Sequence, residues 1–260
     1  MSYNFIEKPL GKIIGNKKKE AKIIVAGIAV AIIICALSFI VYMRAGVVRD
    51  IPELDIDTSD VHRHMHAEYC DRPYAWEGEF NDDDGIHILV LGSSFGRDWA
   101  NVLFEYDSSL DIRYISYKEA DIPSYQKWIE KADFVFYAEG PGYSGVSSML
   151  VVAVSPDKLY VVGNKSYGES NGIVYAQRYK EDYYDLTVKI ADNLIAQNKM
   201  EEAVFGSHYI DLITPLQDAA GKIRVFTDDN KYISQDCIHL TQAGAKYYAR
   251  ILDLSFLSIK

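Results

Sequence analysis

Cysteine is scarce in this chain. Only Cys35, Cys70 and Cys237 occur in 260 residues, and their separation fits no thiolate metal-site spacing. A cysteine-built metal centre is therefore excluded. The chain also has no internal repeat and no low-complexity segment. Positive charge is short outside the N-terminus. Beyond residue 44 there are 20 Lys and Arg against 35 Asp and Glu, a net charge of −15. Such a surface repels nucleic acid and other polyanions, so no nucleic-acid partner is expected. A neutral sugar or a small acyl donor is an easier ligand.

What is present begins with one long apolar run. Ile23 to Met43 holds no charged residue. At about 1.5 Å per residue, a helix of this length crosses a bilayer core of roughly 30 Å. The run exceeds the apolar core of a signal peptide, and no small-residue cleavage site follows it. It is read as an uncleaved anchor. Lys8, Lys12, Lys17, Lys18, Lys19 and Lys22 precede it, whereas only Arg44 and Arg49 follow closely. The positive-inside rule then predicts a cytoplasmic N-terminus and an extracytoplasmic C-terminal domain.

The expected organisation is a basic tail (1–22), a transmembrane helix (23–43), a juxtamembrane connector (44–84) and a folded domain (85–260). The connector contains alternating His62, His64 and His66. On a strand they would share a face. No carboxylate or cysteine pattern accompanies them, so a solvated segment is expected, with no metal and no cofactor. Cys70 and Cys237 would both face an oxidising compartment, where a bridge is permitted. Two free thiols are the alternative.

From Ile86 the pattern becomes regular. Apolar runs at 86–91, 112–117, 133–137, 158–162 and 222–226 read as strands. Helices are predicted over 98–106, 122–131, 179–197 and 241–257, the last capped by Thr241. Short apolar pieces lie at 203–205 and 210–213. Strands alternating with helices predict a three-layer α/β sandwich around a mostly parallel sheet.

Sites in such sheets form beyond the C-terminal strand ends. Gly92-Ser93-Ser94-Phe95 lies at the end of the first strand. Asp236-Cys237-Ile238-His239 lies just before the last helix. A serine hydroxyl is a weak nucleophile until a base takes its proton. A neutral histidine serves as that base, and an aspartate fixes its tautomer and stabilises the imidazolium. Ser94, His239 and Asp236 are the candidate triad.

These two blocks, in this order, resemble the SGNH (GDSL-type) hydrolase and acyltransferase superfamily over about residues 85–258. The chain is similar in particular to SGNH domains of membrane acyltransferase systems and to membrane-anchored D-alanine transfer proteins. The first block departs from Gly-Asp-Ser, because Ser93 stands where the family has Asp. The last block matches fully, and Leu240, Thr241 and Gly244 fit its continuation. The resemblance implies a flavodoxin-like sheet and a serine acyltransferase or esterase that needs no cofactor; a catalytically inactive SGNH-like module that binds a glycan or a partner is the alternative from another class. It further implies a cell-envelope polysaccharide acceptor and a membrane acyl-donor protein as partner. The family draws further oxyanion donors from a Gly after the second strand and an Asn after the third. Neither stands at the matching place here. Gly140, Gly142, Asn164 and Asn171 are the substitutes considered.

Overall fold

The computed structural model describes residues 17–43, 51–56, 66–81, 85–116, 121–140, 148–168 and 171–258. The chain forms two units: Met1–Asp50 with Asp57–His62, and Ile51–Ile56 with Arg63–Lys260. In the first unit, α1 (Lys17–Met43) is apolar along most of its length and long enough to cross a membrane.

The second unit is an α/β fold. Its main sheet contains β1 (His87–Gly92), β2 (Asp111–Ser116), β3 (Phe134–Ala138), β4 (Leu159–Val162) and a short last strand, Tyr209–Ile210. All four pairings are parallel, in the order β2-β1-β3-β4 and then Tyr209–Ile210. Each central strand is buried on both faces, so its sequence is a continuous apolar run rather than an alternating one.

Alternation appears instead in which layer each residue meets. Ile88 and Val90 pack with Trp99, Val102 and Leu103 of α3 (Ser94–Tyr106) and with Ala245 and Tyr248 of α8 (Gln242–Ile251). Leu89 and Leu91 point the other way. They pack with Ile122, Tyr125 and Ile129 of α4 (Ile122–Lys131) and Leu150 of α5 (Ser148–Ala153). Helices thus cover both faces of the sheet.

The folded unit starts earlier than residue 85. Glu53, Leu54, Cys70 and Phe80 are buried, and α2 (Ala67–Asp71) belongs to this unit. His66 is buried at the start of α2. His62 and His64 lie outside the described residues. Among the described residues no group of His, Cys, Asp and Glu is arranged to hold a metal.

The region from 179 to 226 differs most from expectation. In place of one helix over 179–197 there is a 3-10 turn (Tyr183–Asp185), then β5 (Thr187–Val188), then α7 (Asp192–Phe205). Leu186 is extended, with φ −60° and ψ 129°. Tyr183 is drawn into an aromatic cluster with Phe226 and Tyr232, and its hydroxyl lies 2.8 Å from that of Tyr232. Tertiary packing overrides the helical spacing of Tyr183 and Leu186. The segment 203–205 is the end of α7, and Tyr209–Ile210 is β6. The expected strand over 222–226 shrinks to β7 (Ile223–Arg224), which pairs antiparallel with β5 in a separate small sheet.

Candidate active site

The site is built at the C-terminal edge of β1, where the chain turns directly into α3. Gly92 is required there. A Cβ at this position would lie 1.9 Å from the Ala138 carbonyl oxygen of the adjacent strand. The helix begins four residues earlier than its periodicity predicts, because Ser93 caps it. The Ser93 Oγ accepts the Phe95 N–H at 3.4 Å, the usual service of an N-cap serine. The Tyr114 hydroxyl donates to the carbonyls of Gly92 and Ser93 at 3.2 and 3.0 Å. Ser94 therefore occupies the first helical position, half-buried. Its backbone N–H belongs to the first turn, where amides have no partner within the helix and the helix dipole is positive.

The second segment is a tight loop closed on itself. Ser234 and Leu240 form an isolated antiparallel bridge. The Ser234 Oγ donates to the His239 carbonyl at 2.8 Å, and the Gln235 N–H donates to the same oxygen at 2.9 Å. At the loop's apex Cys237 has φ 84°, in the region that costs L residues energy. This turn lets the Asp236 carboxylate fold back over its own chain. Its Oδ1 accepts the N–H groups of Ile238 and His239 at 3.1 and 2.8 Å. Thr241 then caps α8, its hydroxyl accepting the Gly244 N–H at 2.9 Å. A Cβ on Gly244 would lie 2.0 Å from the Ile233 carbonyl oxygen, so only glycine lets α8 start against this loop.

The fold brings Ser94, His239 and Asp236 together. Ser94 Oγ is 2.8 Å from His239 Nε2, and His239 Nδ1 is 2.6 Å from Asp236 Oδ2. With Asp236 ionised, the network assigns the proton to Nδ1 and leaves Nε2 to accept from the serine hydroxyl. Burial raises the Asp236 pKa. The hydrogen bonds from the His239 ring and from the His239 and Ile238 amides outweigh it and hold the pKa down to about 2. The carboxylate is thus charged across the physiological range. His239 is only 23% exposed at its side chain, while Asp236 is about half-exposed.

The four candidate oxyanion residues separate. Gly140 follows β3, and a Cβ there would come 3.2 Å from the Phe95 ring, so the ring packs against the glycine backbone. Gly142 lies outside the described residues. Asn164 follows β4, is buried, and has a side-chain oxygen without a hydrogen-bond partner among the described residues. Asn171, at the start of α6 (Asn171–Tyr175), spends its amide on the Ser234 carbonyl at 2.6 Å. It braces the His239 loop.

Two features were not legible from the motifs. Glu139 directly follows β3. Burial raises its pKa, opposed by hydrogen bonds from Ser93 and from the Gly140 amide. Behind the triad lies a buried charge network. Asp98 Oδ2 accepts the Leu240 N–H at 2.9 Å and lies 3.1 Å from the Lys165 ammonium.

Cys70 and Cys237 are free thiols. The bridge considered from the sequence is not formed, because Cys70 is engaged elsewhere. Its thiol, buried, donates to the Leu240 carbonyl at 3.3 Å. A polar cleft of about 420 Å³ on Asp228, Asp229, Gln242 and Lys246 includes none of the three triad residues in its lining. No family model matches the chain, and no curated protein matches it significantly.

Proposed function

We propose that the chain is a membrane-anchored serine acyl-transfer enzyme of SGNH type that acts outside the cytoplasm. The observation that carries this reading is the unbroken hydrogen-bond chain from Ser94 through His239 to Asp236. A serine, an imidazole and a carboxylate in this order are what double displacement at an acyl carbonyl requires.

In the first half-reaction Ser94 Oγ bonds to the acyl carbon and its proton passes to His239 Nε2. The oxyanion faces the Ser94 N–H at the α3 N-terminus. Collapse breaks the bond to the leaving alkoxide, which takes the proton from His239. In the second half-reaction an acceptor hydroxyl gives its proton to His239 and attacks the acyl-serine. Ser94 leaves and recovers that proton. Asp236 stabilises the imidazolium in both halves.

The apolar run 23–43 of α1 and the lysines before that run support an anchored protein with its domain outside the cytoplasm. A cell-envelope polysaccharide is then the acceptor, with the acyl group supplied by a membrane donor protein. Hydrolysis by the same site is the alternative outcome. The test is p-nitrophenyl acetate turnover by the purified chain in detergent, with and without an oligosaccharide acceptor. The transfer reading expects acyl-oligosaccharide to form at the expense of free acetate. Release of acetate alone would assign an esterase. No Ser94-dependent turnover would remove both.

A further inference from the structure

Lys165 is the most unusual side chain in the domain. It is 1% exposed, so its ammonium is fully withdrawn from water. Burying a lone cation is costly, and lysine is rarely buried unless paired. Burial lowers its pKa, opposed chiefly by the charge of Asp98. A group so enclosed does not reach a ligand in the site, and the triad chemistry does not use it.

Its neighbours show what it joins. The ammonium lies 3.4 Å from the centroid of the Phe95 ring, the residue after the nucleophile. It also lies 3.1 Å from Asp98 Oδ2, although the angles fall short of an aligned hydrogen bond. This contact is therefore charge pairing. The same Asp98 oxygen accepts the N–H of Leu240, the residue after the base. The pair extends outward: Asp98 Oδ1 meets Arg97 at 3.2 Å, and Arg97 meets Asp71 at 2.7 Å. Two carboxylates and two cations thus alternate, Asp71, Arg97, Asp98, Lys165, and the row is neutral as a whole. Without Lys165, Asp98 would be a buried carboxylate sharing Arg97, its remaining cationic partner among the described residues, with Asp71.

The geometry points to Lys165 as a positioning residue: it neutralises Asp98 so that this carboxylate can hold the Leu240 amide, and so sets His239 within reach of Ser94. Its catalytic purpose rests on the acyl-transfer reading. The link between Lys165 and the His239 loop does not.

Hydrogen exchange on the full chain in detergent micelles tests the link without calling on activity. Lys165→Met keeps the packing on Phe95 and deletes the charge. In this variant the Leu240 amide is expected to exchange about tenfold faster or more, since a buried carboxylate left underpaired is destabilised and the loop opens more often to let water reach it. Peptides from the central sheet should exchange as in the unaltered protein. Adding Asp98→Asn removes the unpaired charge while retaining an oxygen for the Leu240 N–H. The double variant should recover most of the protection.

Unchanged exchange in Lys165→Met would overturn the assignment, as would the absence of recovery in the double variant. If Lys165→Met fails to fold, a double variant that folds supports the pairing, and one that also fails overturns it. Fluorophosphonate labelling of Ser94 supplies the catalytic readout. Across pH 6–9 the labelling of Lys165→Met should be slower and the double variant should regain it. If the unaltered chain does not label, the acyl-transfer reading falls, and the exchange result still decides the role of Lys165.

Discussion

His239 Nε2 stands 2.8 Å from Ser94 Oγ, although 145 residues of chain separate the two. Neither residue is held by its own side chain alone. Ser94 is fixed by the strand-to-helix turn at Gly92 and Ser93. His239 is fixed by a closed loop whose last amide is bound to Asp98, on the helix that Ser94 begins. Ser94 and His239 are therefore carried by the same helix, one directly and one through a hydrogen bond.

Replacing the aspartate tests electrostatics and orientation together. Asp236→Asn is expected to lower ester turnover by about 10²–10⁴-fold, by allowing the wrong imidazole tautomer. It also carries a pH signature in stability. The folded pKa of about 2 lies below the ordinary carboxylate value, so the stabilisation is fully present above pH ~4. It is lost as pH falls through about 2. Because the carboxylate is about half-exposed, the difference should not exceed about 1 kcal/mol. Thermal melts of both proteins from pH 7 to pH 2 should converge at the acid end. A gap that widens on acidification would contradict the assignment.

Asn164 is expected to supply a side-chain donor to the oxyanion. Its amide oxygen and nitrogen are interchangeable by a flip of the group, and the site after β4 is buried. Asn164→Ala should lower kcat by about 10²–10³-fold with little change in KM. A variant with full kcat would leave the backbone amides as the donors.

Gly92 is expected to tolerate no side chain. The Cβ of an alanine would strike the Ala138 carbonyl, a backbone atom in a central strand. Gly92→Ala should destabilise by about 3 kcal/mol or more, as overpacking against an immovable partner does. Urea denaturation measures it, and a loss below about 1 kcal/mol would mean that β1 and β3 are less tightly apposed.

All three cysteines should be titratable. Alkylation in denaturant without reductant should add three labels per chain, since Cys35, Cys70 and Cys237 are free. A chain that takes only one label would have formed the Cys70–Cys237 bridge instead.

Much of this architecture was legible from residue pattern. The first four strands were visible because strands buried on both faces are short apolar runs, as Ile88 to Leu91 illustrates. The two triad segments were visible because each sits at a boundary marked by glycine or a capping residue, Gly92 and Thr241. The region after Tyr179 was not. Tyr183 and Leu186 have helical spacing, but Tyr183 packs on Phe226 and meets the Tyr232 hydroxyl, and the next residues, Thr187 and Val188, pair antiparallel with Arg224 and Ile223, which local pattern does not encode. Asp98 and Lys165 were hidden for a related reason. Each reads alone as a solvated charge, and only the tertiary pairing explains burial. The connector 44–84 carries no sustained strand or helix period, yet Cys70 and Phe80 within it are both buried against distant segments, which only the tertiary fold brings near.

The central claim is that Ser94 is a nucleophile activated by His239. The most direct measurement is fluorophosphonate labelling of the full chain in detergent at pH 7, with the adduct located by mass spectrometry. The expected result is one adduct, on Ser94, formed at least about 10²-fold more slowly in His239→Ala. No adduct on Ser94 under conditions where an ordinary serine esterase reacts, or undiminished labelling of His239→Ala, would contradict it.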